Sequence, residues 1–187
     1  MMGSNNFNPG GKIMKRFLRS SIIFANAFLI SGWYSTTHAW TDDIDSIKDV
    51  NSKCKFEPDA QCTSAVRIGV NLAGVDMNGA SMTTMRLDGA NLQRANLSNT
   101  ILQMSNFKGA NMMLINLEGA HMHAVNLQNA NLMLANMQKV NLLDADLRGA
   151  NLQGANLNGA ILIKAKFENA TWTDGRTCAT GSIGKCL

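Results

Sequence analysis

Side chains that could ligate a metal ion or carry out acid–base chemistry are scarce in this chain. Two of its three histidines, His121 and His123, form a His-x-His pair that could hold a metal ion. Met113 and Met133 could present soft sulfur ligands to Cu(I). No third strong ligand is evident near the histidines, and no Ser-His-Asp or paired-carboxylate spacing stands out. We therefore predict solvated histidines, no catalytic residue, no cofactor and no bound metal, with weak metal binding as an alternative.

The element that must position these side chains is a repeat that runs from Val70 to Asp174. Its five-residue pattern recurs 21 times without insertion or deletion. In each pentad, written i−2 to i+2, the centre i is a large apolar residue and i−2 is small, mostly Ala. Position i−1 is Asn twelve times, and i+2 is Gly eight times. A short fixed period is typical of a solenoid, whose units bury their apolar faces only by stacking on one another.

A period of five matches neither the helical period of 3.6 nor the strand alternation of 2, so a turn must interrupt every pentad. Positions i−2 and i lie two residues apart and point to the same side of an extended stretch, which we expect to be the inside. Position i+2 falls third in a turn that begins at i, where a type II turn requires positive φ and favours Gly. Because thirteen pentads lack Gly there, we expect a mixture of turn types. Asn at i−1 faces outward and can bond backbone or form ladders.

The pattern, seen for example in ANLQGANLNGA from Ala150 to Ala160, resembles the A(N/D)Lxx motif of the pentapeptide-repeat family. The resemblance implies an all-β fold, a right-handed quadrilateral β-helix with four pentads per coil. Stacked at the inter-strand spacing of roughly 4.8 Å, the repeats would form a column about 25 Å tall. A short N-terminal helical cap, with Thr41 as its N-cap and Ile44 and Ile47 on one face, is expected to cover the first coil, together with Phe56.

With four pentads per coil, the repeats fall on four faces. Face 1 begins with pentad 70–74, face 2 with 75–79, face 3 with 80–84 and face 4 with 85–89, and each face recurs every twenty residues. Large outward apolar residues occur only on faces 1 and 3, whereas faces 2 and 4 carry most of the charges. Exposed apolar patches often mark contact sites. The candidate interaction surface is therefore Met113, Leu114, Met133 and Leu134 on face 1, and Ile101, Leu143, Ile161 and Ile163 on face 3, where Met104 also points outward.

The N-terminal residues 1–39 have the features of a secretory signal peptide, with translation possibly starting at Met14. Lys15, Arg16 and Arg19 precede an apolar stretch, and cleavage is expected after Ala39. An uncleaved anchor is the alternative, but the apolar stretch is shorter than the roughly 20 residues that span a bilayer. We predict export to the periplasm or the extracellular space, or to the thylakoid lumen if the source is cyanobacterial, without a stable membrane anchor.

Removal of the leader also changes the net charge. Four of the 17 Lys and Arg residues precede residue 40 and none of the 13 Asp and Glu residues does, so the remaining chain has no formal net charge. A neutral chain favours neither a nucleic-acid-binding surface nor an acidic mimic of nucleic acid. Inhibition of a topoisomerase (gyrase) by DNA mimicry, as in the quinolone-resistance members of the family, is kept as an alternative function.

The four cysteines lie outside the repeats, in an N-terminal cap (40–69) and a C-terminal cap (175–187). Export to an oxidising compartment predicts two disulfides. The caps lie at opposite ends of the column, too far apart for cross-pairing, so we predict Cys54–Cys62 and Cys178–Cys186. The same distance excludes a zinc site made from all four thiols.

These observations together predict a non-enzymatic, exported, disulfide-capped scaffold. We expect its flat faces to contact an unknown protein partner or a second copy of the chain, and not nucleic acid.

Overall fold

The computed structural model describes residues 54–187, whose backbone forms a four-sided coil. Isolated parallel bridges join residues twenty positions apart, from Gln61–Ser81 to Asn151–Thr171. No helix occurs in this range, and no strand is longer than a single bridge residue. Because twenty residues are four pentads, each circuit has four sides, as predicted. None of the described residues forms a helix long and apolar enough to cross a membrane.

Backbone hydrogen bonds join each side of a circuit to the same side of the next. On face 1, for example, Leu92 N–H donates to Asn111 O at 2.7 Å and Asn111 N–H donates to Ala90 O at 2.9 Å. The same two kinds of hydrogen bond recur on all four faces. Each pentad inside the column is therefore bonded to the pentad on the same face of the circuit before it and to the one of the circuit after it. Adjacent circuits are thereby held in register along the whole column.

The interior is filled by the residues at positions i−2 and i, as predicted. Leu97, Phe107, Leu117, Leu132 and other centre residues are inaccessible to solvent, and most of the alanines at i−2 are buried beside them. All buried side-chain nitrogen and oxygen atoms among the described residues have hydrogen-bond partners. The column therefore has a dry apolar core with polar walls.

The turns are more uniform than the sequence suggests. From Ser64 to Asn169 every i+2 residue has positive φ, whether it is Gly or not. Leu114 and Lys164, for example, have φ of 60° and 58°. The expectation of mixed turn types is therefore wrong as far as φ at position i+2 is concerned. Bonds to the circuits on either side impose one backbone path, and residues that disfavour positive φ must follow it.

The coil begins before the first recognisable repeat. Its first bridges involve Gln61 and Val66, so residues 60–69, which the sequence analysis assigned to the N-terminal cap, wind like the pentads. The added pentad 65–69 places Ile68, which is 50% exposed, on face 4, a face for which no outward apolar residue was expected. Phe56 is partly buried against the core, as expected. The predicted leader, its cleavage site and the helix with Thr41, Ile44 and Ile47 lie outside the described residues.

The C-terminal residues fold back over the end of the column. Thr177 forms an antiparallel bridge to Thr171 on face 1, and Ile183 forms one to Lys166 on face 4. Trp172 is partly buried and meets Phe167 edge to face, with ring centroids 5.0 Å apart. The predicted disulfides are present: Cys54 pairs with Cys62 and Cys178 with Cys186, each with Cα atoms 4.9 Å apart. Each disulfide therefore lies within one end of the column.

Candidate interaction surface

The two histidines lie on the outer wall of face 3. His121 is exposed and forms bridges to Ile101 and Asn141. His123 Nε2 lies 3.5 Å from Asp144 Oδ2, and both side chains are 42% exposed. Within residues 54–187 no group of three or more His, Cys, Asp or Glu side chains is placed to hold a metal ion. His123 and Asp144 therefore form an exposed ion pair when His123 is protonated.

The face 1 patch consists of Met113, Leu114, Met133 and Leu134. Arg94 N–H donates to Met113 O, and Leu114 N–H donates to Met133 O, each at 3.0 Å, so these turns lie on consecutive circuits. Leu114 and Leu134 are 39% and 53% exposed, and both methionines are half-buried. The four side chains form one patch near the middle of the column, two circuits high.

Face 3 carries a more broken set of apolar residues. Ile101 and Met104 are 40% and 59% exposed, and Ile161 and Ile163 are 44% and 62% exposed. The histidine pentad and the half-buried Leu143 separate these two groups. Ile161 and Ile163 therefore belong to the C-terminal end of the column and are not continuous with Ile101.

Asparagine ladders make the walls of faces 1 and 2 regular. On face 2, Asn116 Nδ2 donates to Asn96 Oδ1 at 3.1 Å and Asn136 Nδ2 donates to Asn116 Oδ1 at 3.0 Å. The Oδ1 atom of Asn116 also accepts from the N–H of Glu118, in its own pentad, at 3.2 Å. The amides therefore bond both backbone and each other, which were the two uses expected for Asn at i−1. Each ladder fixes the wall from which neighbouring side chains project.

Face 4 carries paired charges. Arg148 Nη2 donates to Asp146 Oδ2 at 2.6 Å, and Gln128 Nε2 donates to the same oxygen at 2.7 Å. Burial acts to raise the pKa of Asp146, but the hydrogen bonds from Arg148 and Gln128 outweigh it and lower this pKa from 3.8 to about 2. Beside the pair is a shallow polar depression of about 350 Å³, lined by Gln128, Asn129, Arg148, Gly149, Glu168 and Asn169. Two opposite-charge pairs, Arg148 with Asp146 and Arg86 with Asp88, thus lie on this face.

Sequence reasoning missed one feature of the C-terminal end. The cap bonds to faces 1 and 4 only, while on faces 2 and 3 of the last circuit the core residues Leu157 and Leu162 are only partly buried. The aperiodic cap sequence gives no sign of which faces it covers. The exposed isoleucines on the last pentad of face 3 were the one available signal.

A known protein family has the same repeat as this chain. The family model described as pentapeptide repeats matches residues 68–171 in eight copies. No curated protein is significantly similar.

Several solved structures are similar over part of the chain. A pentapeptide repeat protein from the Arabidopsis thaliana thylakoid lumen is 30% identical, over 57% of this chain and 70% of its own, with a TM-score of 0.36. HetL, a pentapeptide repeat protein involved in heterocyst differentiation regulation in the cyanobacterium Nostoc, is 26% identical, over 64% and 75%, with a TM-score of 0.27. QnrB1, a plasmid-mediated fluoroquinolone resistance protein, is 14% identical, over 64% and 75%, with a TM-score of 0.35.

The match to the pentapeptide-repeat family model decides the family. That match covers more than half of the sequence and coincides with the bridged circuits. The chain therefore belongs to the pentapeptide-repeat family, whose fold is a right-handed β-helix.

Proposed function

We propose that this protein is an exported, non-enzymatic scaffold that binds a protein partner through the apolar patch of face 1. The observation that supports the proposal is that Met113 and Leu114 occupy the same turn positions as Met133 and Leu134 in the next circuit of face 1. An apolar patch held on a regular wall is a typical protein contact, and methionine side chains adapt to a partner's shape.

The rigidity of the wall supports this role. Asn111 and Asn131, which precede the patch in its two pentads, are joined by a ladder bond of 3.4 Å. Their Oδ1 atoms accept from the N–H groups of Met113 and Met133 at 3.4 and 3.3 Å. The backbone that presents the patch is therefore ordered before a partner arrives, which reduces the entropic cost of binding.

Export is part of the proposal and rests on two separate features. The sequence of residues 1–39 has the pattern of a secretory leader. All four cysteines of the described residues are paired in disulfides, which persist in oxidising compartments. A scaffold in such a compartment would meet partners that are themselves exported.

The charge distribution favours a protein over nucleic acid as the partner. Residues 54–187 contain 11 basic and 9 acidic side chains, and several of them pair with one another, including Arg86 with Asp88 and Arg148 with Asp146. Nucleic-acid sites need a concentrated basic stripe, and DNA mimics need a concentrated acidic one. Neither kind of stripe occurs on the described surface.

The test is crosslinking and pull-down from the exported fraction, with the wild type compared with Met133→Glu. Met133 is half-buried on the wall, so we expect the charge to weaken capture without unfolding the column. Gln138→Glu is the matched control, because it adds the same charge at the i+1 position of the next pentad, on face 2. A partner captured equally well by all three proteins would show that face 1 is not the binding surface.

A further inference from the structure

The face 1 patch ends at a positive charge. Arg94 lies at the same turn position as Leu114 and Leu134, one and two circuits before them, and its side chain is exposed. The guanidinium of Arg94 forms no hydrogen bond or ion pair within residues 54–187. At three other arginines an Asp two residues away pairs with the guanidinium: Arg86, Arg148 and Arg176. The charge of Arg94 is therefore available to a partner.

The other borders of the patch are neutral. At its far end, one circuit after Met133 and Leu134, the same turn holds Gln153 and Gly154. Asparagine ladders flank the patch on both sides, with Asn111 bonded to Asn131 on face 1 and Asn116 bonded to Asn136 on face 2: the two bonds measure 3.4 and 3.0 Å. The patch is therefore apolar along its length, with amides at its sides and one cation at one end.

The backbone of the patch has no free N–H donor. The N–H groups of Arg94, Leu114 and Leu134 donate to carbonyl oxygens of the next circuit at 2.9 to 3.0 Å. Those of Met113 and Met133 donate to asparagine Oδ1 atoms at 3.4 and 3.3 Å. An extended peptide laid on the patch would find no backbone donor for its carbonyl groups, as it would at a sheet edge. A helix satisfies its own backbone groups and loses nothing there.

The spacing of the rows also favours a helix. Arg94, Leu114 and Leu134 follow one another at the spacing between circuits, about 4.8 Å. Turns of a helix recur every 5.4 Å or so, which gives a drift of about 1.2 Å over two circuits. Side chains on one side of an extended strand recur every roughly 6.7 Å and would drift by about 3.8 Å. We propose that the partner binds the face 1 patch with an amphipathic helix parallel to the column, whose apolar stripe covers the patch and whose Asp or Glu lies beside Arg94.

The apolar stripe and the carboxylate have different tasks in this contact. Burial of Leu114 and Leu134, which are 39% and 53% exposed, supplies most of the affinity, and the methionines adapt to the shape of the helix. A pair between Arg94 and a carboxylate at the rim adds little affinity but sets which helices bind and in which register. This inference rests on the proposed function, because it uses the same patch, and it adds the chemical class of the partner.

The test measures the binding of two synthetic helical peptides to the exported protein by fluorescence anisotropy. Both peptides carry leucines at i, i+3, i+4 and i+7, and one turn beyond them one peptide has Glu and the other Lys. The acidic peptide should bind the wild type about threefold to tenfold more tightly, and Arg94→Glu should reverse this order. The control is Lys108→Glu, which makes the same charge change at an exposed position of face 4 and should keep the wild-type order.

Methyl NMR of the methionines locates the bound peptide. The acidic peptide should shift the signals of Met113 and Met133 and leave Met104, which is 59% exposed on face 3, unchanged. Equal binding of the two peptides to the wild type, an unchanged order in Arg94→Glu, shifts confined to Met104 or no saturable binding of the acidic peptide would overturn the inference. Failure of the proposed function looks different, because Met133→Glu would then capture the natural partner as well as the wild type does.

Discussion

Leu134 lies over Gly154, its equivalent one circuit later on face 1. A Cβ atom added to Gly154 would come within 2.6 Å of Leu134 Cδ2, and Gly154 has φ of 71°. Gly154→Ala should therefore destabilise the column through both the backbone conformation and the crowded leucine, by about 1 to 3 kcal/mol. Chemical denaturation measures the change in the free energy of unfolding.

Gly109→Ala is the matched control for this substitution. Gly109 has φ of 66°, but an added Cβ would meet nothing within 4 Å. It should show the backbone cost alone, about 1 to 2 kcal/mol. Adding Leu134→Ala should relieve Gly154→Ala but not Gly109→Ala. If the two glycine variants lose equal stability, Leu134 moves aside freely and does not pack on Gly154.

Ala124→Gly tests the opposite change. Ala124 has φ of 55°, a conformation that costs L-residues energy and that glycine adopts freely. The substitution should stabilise the protein by up to about 1 kcal/mol, because relief of the backbone cost exceeds the extra entropy of glycine in the unfolded chain. Thermal unfolding measures it. A lower melting temperature would mean that the neighbouring circuits hold this turn without appreciable backbone cost.

The uniform turns show where sequence reasoning stops. The period of five correctly placed Leu117 and Leu132 inside, because the recurring apolar residues mark the buried positions. The resemblance to the pentapeptide-repeat family implied four sides per circuit. The φ angle at Leu114 or Lys164 is different, since bonds to adjacent circuits impose it against the preference of the residue. Residue propensity therefore gave the wrong expectation for the turns.

The two ends of the column were also hard to predict, for a related reason. Cys62 and Arg67 stand at the centres of pentads 60–64 and 65–69, where the repeats have large apolar residues, so the pattern is hidden although the backbone already winds as a coil. The C-terminal cap has no period at all. Which sides it covers depends on the bridges of Thr177 and Ile183, long after the repeats have ended.

Leu117→Asp tests the dry interior. Leu117 is inaccessible to solvent, so an aspartate there would be an unpaired charge in an apolar column, and we expect it to abolish folding. Leu117→Met is the control, with a cost below about 1.5 kcal/mol because it nearly conserves volume. Circular dichroism and hydrogen exchange measure folding. A folded Leu117→Asp protein would mean that water reaches the interior.

The pairing of Asp146 predicts a pH dependence. Its pKa falls from 3.8 to about 2 in the folded protein, so its stabilising contribution is complete above about pH 4 and is lost as the pH falls towards 2. Because solvent screens the partly exposed Arg148, this contribution should be about 1 kcal/mol. Carboxyl NMR titration should find the low pKa in the wild type and a clearly higher one in Arg148→Met.

Arg86→Met is the control for that titration. Arg86 pairs with Asp88 on the same face, so its loss removes an equal charge without touching Asp146. The pKa of Asp146 should then stay low. A similar rise in both variants would indicate that the overall charge of face 4, and not the hydrogen bonds from Arg148, lowers the pKa.

The Ser105 hydroxyl takes the place of a backbone hydrogen bond that closes the turn in other pentads. In other pentads a hydrogen bond closes the turn, from the N–H of the first residue of the next pentad to the carbonyl oxygen of the centre residue. Ala90 N–H, for example, donates to Leu87 O at 3.1 Å. At Met82 and Met85 this bond is absent. Instead the buried Ser105 hydroxyl donates to Met82 O at 2.7 Å and accepts from Met85 N–H at 3.0 Å.

Ser105→Ala should therefore leave two buried backbone groups without partners unless the turn contracts. Each such group costs about 1 to 3 kcal/mol, so we expect a loss of stability of roughly 2 to 6 kcal/mol and faster amide exchange at Met85. Ser98→Ala is the control, because Ser98 lies on the wall of face 2 and bonds to Asn78 and Asn96 side chains. Normal protection of Met85 in Ser105→Ala would show that the turn closes its own bond once the hydroxyl is removed.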